Sequence, residues 1–175
     1  TWAAIPYQLG EVPVPVSIGY RFVIAAVVLY GFALATGRRL AIPRLALPVV
    51  GLQGLLLFCV NYLLVYHGTA YIKSGLVAVV FSLIVLFNAL FTRLFFGTAI
   101  DTRLFVAGIV GTLGIVLLFL PEVRAAGTSR GIYIGIALIV AATLSASLGN
   151  MAAIVNANKS IPVVVSNAHG MLLGG

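Results

Sequence analysis

Charge is what this sequence has least of. Only 7% of its 175 residues are Asp, Glu, Lys or Arg, and three of those are acidic. A soluble domain carries roughly 25% charged residues, so this chain cannot cover a water-facing surface with polar groups. Cysteine is nearly missing too. Cys59 stands alone in an apolar run, which excludes a disulfide or a thiolate metal site within the chain. Glu11, Asp101 and Glu122 all fall at the ends of apolar runs or between them. With no carboxylate inside a run, this portion holds no intramembrane acid for a proton relay. No Walker loop, dinucleotide fingerprint or HExxH occurs, and His169 has no visible ligand partner, so neither cofactor nor metal is expected.

What the chain does have is grease in long stretches. It is 62% hydrophobic, with a mean hydropathy of +1.21. Residues 45–72, 74–92, 104–121 and 131–158 contain no charge, and 22–37 make a fifth such run, which extends to a full span if Arg21 is tolerated. Each approaches or exceeds the ~18 residues that cross a bilayer as a helix. Barrel strands alternate over about ten residues, and these runs do not. The fold class is therefore all-α, a polytopic helical membrane protein. Spans are expected at about 14–36, 46–68, 73–96, 104–120 and 131–155, with truncated ones at 1–10 and 162–175. With "TWAAIPYQLG" opening on half a span and "HGMLLGG" closing inside another, the sequence reads as a piece of something longer.

The net charge of +7 follows the usual excess of Lys and Arg in cytoplasmic loops, and nucleic acid is not an expected partner. Arg38, Arg39, Arg44, Arg93, Arg103 and Lys159 fall in loops on one side, and Lys73, Arg124 and Arg130 on the other. Positive-inside places the first set, and the start of the first span, in the cytoplasm of a cell membrane. Asn158-Lys159-Ser160 fits a glycosylation sequon, a weak pattern in a loop expected to be cytoplasmic.

Sliding the chain by 149 residues lays "WAAIPYQLGEVPVPVS" over "MAAIVNANKSIPVVVS" without a gap, with seven identities in sixteen positions. Among them Pro13 matches Pro162 and Ser17 matches Ser166. Five spans begin within that period, and an odd number inverts the second copy, as in secondary transporters with inverted repeats. Chance similarity of two Ala/Val-rich stretches is the competing explanation.

Four stretches carry a family resemblance: Tyr20-Arg21-Phe22, "NYLLVYHGTAYI", "SGLVAVVFSLIVLFN" and "GIVGTLGIVLLFLPE". They resemble the EamA-type transporters of the drug/metabolite transporter superfamily, over nearly the whole chain. The resemblance implies ten spans in two five-helix repeats, with 1–121 the first repeat and 131–175 the start of the second. It also implies movement of small metabolites, amino acids or drugs without ATP hydrolysis, and no enzymatic activity. Three positions depart from the family pattern. Lys73 stands where a small residue or Pro is common, Thr98 where a Glu often follows Gly97, and no Pro interrupts Val85 to Asn88.

Polar side chains inside the runs are the candidate solute contacts. At about 100° per residue Ser74, Ser82, Asn88 and Thr92 share one face of the fourth span, and Gln53, Asn61 and His67 one face of the third. Lipid leaves an amide unpartnered at a cost of several kcal/mol, so both stripes should face protein or a wet cavity. Tyr62 is deep enough to line a path, and Arg21 lies about 10 Å along its helix from Val14. An arginine there marks a cavity or a buried partner, for instance a solute carboxylate. Interhelical hydrogen bonding is the alternative for the hydroxyls, snorkelling for Lys73, and hydration at the outer end for His67. Gly108, Gly111 and Gly114 read as small-xxx-small packing. The sequence thus favours a secondary exporter working by alternating access through a cavity between repeats, with a non-transporting membrane scaffold as the alternative. Its partners would be a small solute and the bilayer; the oligomeric state is left open.

Overall fold

The computed structural model describes residues 13–99, 101–125 and 129–175, all of whose regular elements are helical. The truncated first span at 1–10 lies outside the described residues. Helix α1 runs Val14–Ala35. The next span comprises a 3₁₀ turn Arg44–Ala46, α2 Leu47–Gly54, a π-helical stretch Leu55–Val60 and α3 Asn61–Thr69. Two pieces, α4 Ser74–Phe81 and α5 Ile84–Phe96, make the following one. Then come α6 Thr102–Leu118, α7 Leu120–Ala125, α8 Arg130–Asn158 and α9 Val163–Gly174.

Among the described residues four stretches are long and apolar enough to cross a membrane: Pro15–Ala35, Arg44–Thr69, Ser74–Phe96 and Arg130–Asn158. Phe105–Leu118 and Val163–Gly174 are apolar but shorter. Helix is the expected outcome, because a backbone in hydrocarbon must satisfy its N–H and C=O groups within its own segment. Tyr20, Ile24, Val27 and Val28 of α1, and Val106, Val110, Leu113 and Leu117 of α6, remain exposed. In water those faces would be a liability; in lipid they are the solvated surface.

Helix α8 is the hub. It packs against α2, the π-helical stretch and α3 of one neighbouring span and against α4 and α5 of the next, and its buried residues extend from Gly135 to Asn156. Small residues bring it close. A methyl on Gly149 would lie 2.6 Å from Leu57 Cγ, and one on Gly68 2.6 Å from Ile139 Cδ1. The apolar core joins Ile18 and Phe22 of α1, Val65 and Tyr66 of α3, Val77 of α4 and Ile139 of α8.

Helix α9 lies along α1 and α2. It runs antiparallel to α1, since Gly175 approaches Gly19 while the His169 ring meets that of Tyr30. Pro13 and Pro162, paired by the 149-residue offset, open α1 and α9 in the same way. Their φ/ψ values are −53/133 and −57/133, and the Pro13 carbonyl accepts from Val16 and Ser17 as the Pro162 carbonyl does from Val165 and Ser166.

Two expectations about glycine and helix continuity change. Gly108 touches α5, where an added Cβ would sit 2.9 Å from Val85 Cγ1, but Gly111 and Gly114 have open space beside them. The close backbone crossing is instead between Gly54 of α2 and the Gly170/Gly174 pair of α9, where an added Cβ collides with backbone. The span over 74–96 is interrupted at Ser82–Leu83 although it holds no proline. There Ser82 Oγ donates to Val79 O at 2.6 Å and Leu83 N bonds Val80 O at 3.2 Å, a tightened turn where a serine hydroxyl competes with the backbone ladder.

The helix ends explain the short loops. Gly37 closes α1 at φ 67, with Arg38 N on Ala33 O at 2.9 Å and Gly37 N on Leu34 O at 3.0 Å, the paired bonds of a Schellman cap. Helix α8 closes with the same pair of bonds, Ile161 N to Asn156 O and Ser160 N to Ala157 O, but Ser160 occupies the left-handed position at φ 60. Ser160→Gly should therefore stabilise the protein by about 1 kcal/mol, read as a rise in thermal midpoint in detergent. Gly54→Leu should destabilise it by about 1–3 kcal/mol or prevent folding, whereas Gly111→Leu should leave the midpoint unchanged.

Candidate functional site

Arg21 of α1 is half-buried, and its guanidinium carbon lies 5.3 Å from the centre of the Tyr62 ring. Tyr62 meets Phe22 edge-on at 4.7 Å, and Phe22 meets Phe58 at 5.1 Å. An aromatic floor thus supports the cation from α1 and the π-helix/α3 segment. Such a cation–π contact is worth about 0.5–2 kcal/mol, depending on how dry it is. No carboxylate pairs with Arg21 among the described residues. The side chain is held on one face and has five N–H donors to offer.

The other deep polar groups converge on α8. Asn61 is buried and donates from Nδ2 to the Ala142 carbonyl at 2.7 Å, while Ser145 Oγ returns a bond to Leu56 O at 2.9 Å. Leu56 O also receives Asn61 N–H, the i→i+5 bond of the π stretch. A hydroxyl from α8 thus caps the carbonyl at the point where the ladder widens. Single π turns of this kind recur at functional sites.

Nearer the other end, Asn156 Nδ2 donates to Gln53 Oε1 at 2.7 Å, and Gln53 Nε2 donates to Asn167 Oδ1 at 2.7 Å. This amide relay ties α8 to α2 and α2 to α9. Gln53 and Asn156 are completely buried, and Asn156 Oδ1 has no partner among the described residues. On the opposite flank, Asn88 Oδ1 of α5 accepts from Ser147 Oγ at 2.7 Å and from Asn150 Nδ2 at 3.2 Å. Thr92 Oγ1 reaches Met151 Sδ at 3.7 Å.

The structure therefore brings Gln53, Asn61 and Asn88 to one helix, and Arg21 to Tyr62, but it does not collect the remaining candidates with them. His67 is exposed, and its Nδ1 lies 2.7 Å from Leu63 O; since a carbonyl only accepts, Nδ1 carries the proton. Ser74 lines an outer recess of about 450 Å³ with Thr69 and Lys73. Ser82 faces a groove of about 500 Å³ between α4/α5 and α6, together with Gly111 and Thr112, whose buried hydroxyl is unpartnered. Asn88 and Thr92 also border a recess of about 320 Å³ that Thr98 and Asp101 complete. The single polar face expected of the fourth span is split, because the turn at Ser82–Leu83 resets the helical phase between Ser82 and Asn88. The third span keeps Gln53 and Asn61 toward α8 while His67 turns away.

Sequence reasoning missed the partners on α8. Ser147 and Asn150, which meet Asn88, share one face of the helix with Thr143, whose hydroxyl bonds its own Ile139 carbonyl, and that i, i+4, i+7 spacing was there to be read. Ser145 and Asn156 lie off that row and carry no comparable signal.

Comparison with known proteins agrees with this architecture. The sequence model of the EamA-like transporter family matches residues 1–120. No curated protein and no solved structure matches the chain. With more than half the sequence matched and several apolar helices of spanning length around a polar seam, the chain belongs to the EamA-like transporter family and is a multi-pass membrane transporter of the drug/metabolite superfamily.

Proposed function

We propose that the protein is a secondary carrier that exports small metabolites, amino acids or drugs from a bacterial cell by alternating access. In this reading 1–121 forms the first repeat and 131–175 begins the second, and the start of the first span lies in the cytoplasm. The matching caps at Pro13 and Pro162 support treating α1 and α9 as equivalent elements. Solute would pass along the seam where α1, α2 and α3 meet α8 and α9, with rocking of one repeat against the other exposing it to each side in turn.

The observation that carries the reading is Arg21. An arginine within a membrane span is expensive, about 2.5–3.5 kcal/mol at the centre on insertion scales, and is kept where it meets a partner or a wet path. Here it rests on Tyr62 with no acid beside it among the described residues. A solute carboxylate is the natural complement for those free donors, and the aromatic floor suits an apolar solute body. Hydrophilic walls for the path come from Asn61 and Asn88: Asn61 spends one N–H on Ala142 O and Asn88 accepts two bonds at Oδ1, which leaves the Asn61 Oδ1 and the Asn88 amide N–H groups for exchange with a solute.

A scaffold without transport is favoured by one observation. The amides that could line a path are engaged in direct interhelical bonds through α8. Such bonds contribute only about 0.6 kcal/mol each in membranes, so they can open during a transport cycle.

The test is flux by the intact protein in proteoliposomes against a panel of amino acids, organic acids, sugars and cationic drugs. Flux of at least one class is expected, and none from any would leave the scaffold. Arg21→Leu should lower the rate at least about tenfold with membrane expression unchanged, since it removes both the charge and the stacked donor plane. Arg21→Lys, which keeps the charge alone, should fall between; wild-type rates in both variants would remove Arg21 from the path. Asn61→Leu should cost at most about 1 kcal/mol of thermal stability yet reduce flux strongly, because the lost bond to Ala142 is individually weak.

A further inference from the structure

Three arginines crowd one short loop and serve no internal contact. Arg38 and Arg39 follow the end of α1, and Arg44 opens the next span. All three are exposed, and none makes an ion pair or side-chain hydrogen bond among the described residues. Arg44 is in the first turn of its helical segment, where the macrodipole disfavours a cation, so helix stability does not explain it. Proline at 43 sets the turn, and Ile42, Ala46 and Val50 then pack against Ile161. That small apolar cluster fixes the arginine loop against the α8–α9 loop, which adds exposed Lys159 two residues from Ile161. Four cations thus share one face of the bundle. Leu45, between them, is 87% exposed, and Leu47 is exposed beside it.

We propose that this loop is a binding site for the headgroup of an anionic phospholipid. The guanidiniums bind the phosphate with parallel N–H donors, for which their fork geometry is suited. Leu45 and Leu47 enter the acyl region beside it, so that the site holds a whole lipid rather than a free ion. Four basic residues at a membrane boundary are the composition that recruits such lipids, each adding attraction near the surface. An occupant there also has a structural reach. The loop leads directly into α2, so a bound lipid braces the helix that carries Gln53 and crosses α9 at Gly54.

The test reads lipid and does not depend on flux. The intact protein in neutral detergent is titrated with phosphatidylglycerol and with phosphatidylcholine of matched chains, and bound lipid is counted by native mass spectrometry. Phosphatidylglycerol should be retained about tenfold more strongly, and Arg38→Gln/Arg39→Gln/Arg44→Gln should bring that preference to within about twofold. The three side chains are exposed and make no ion pair or side-chain hydrogen bond among the described residues, so the variant should fold; Leu45→Ser offers an independent change that weakens retention of the same lipid. Arg93→Gln/Arg103→Gln, on the same face of the bundle, should keep the preference. No preference in the wild type, equal loss in both arginine variants, or release of the lipid by inorganic phosphate alone would overturn the proposal.

Discussion

Hydrocarbon neither donates nor accepts a hydrogen bond, and the arrangement of this protein follows from that single property of its solvent. The backbone answers by forming helices. The side-chain amides answer by finding one another across helices, and in doing so they select which helices touch. Asn61, Gln53 and Asn88 come from two different spans, yet each bonds to α8. Placing α8 at the centre is the arrangement that gives all three a partner. Glycines at 68, 135 and 149 admit neighbouring side chains close enough for those bonds to be short.

The same constraint shapes the irregular stretches. A π turn leaves carbonyls poorly served, and in lipid such a turn survives only where a neighbour supplies a donor. Ser145 adds a donor at Leu56 O beside Asn61 N–H, and that bond ties the widened segment to α8. At Ser82 the compensation is local, a hydroxyl bonding back to its own helix. Both irregularities lie in the two spans that flank α8. Each interhelical hydrogen bond at this seam is individually weak, about 0.6 kcal/mol on average in membranes, and together they set which helices pair.

Much of the fold was legible beforehand, because its signal is one-dimensional. A charge-free run of about twenty residues means a span whatever it packs against, so the boundaries at 14–36, 46–68 and 73–96 needed little adjustment. Arg21 and Tyr62 were readable for a related reason, since depth along a helix follows from counting residues. The stripe of Ser74, Ser82, Asn88 and Thr92 was less legible. Its reading assumed an unbroken helix, and the turn at Ser82–Leu83 separates residues that a regular wheel superimposes. Gly111 and Gly114 look on paper like Gly170 and Gly174, but only the latter pair meets another backbone.

Sequence alone determined that this chain must live in a bilayer, roughly where it crosses, and that its polar residues must turn away from lipid, because transfer free energies are properties of residues and not of their arrangement. Only the tertiary structure decided which polar residue meets which: that α8 is the common partner and that, among the described residues, Asn156 keeps an unpaired oxygen and Arg21 lies on a tyrosine with no acid at hand. Those are questions of pairing between segments about 40 to 115 residues apart, such as Arg21 with Tyr62 or Gln53 with Asn167. Local periodicity contains no term for such distances; packing does.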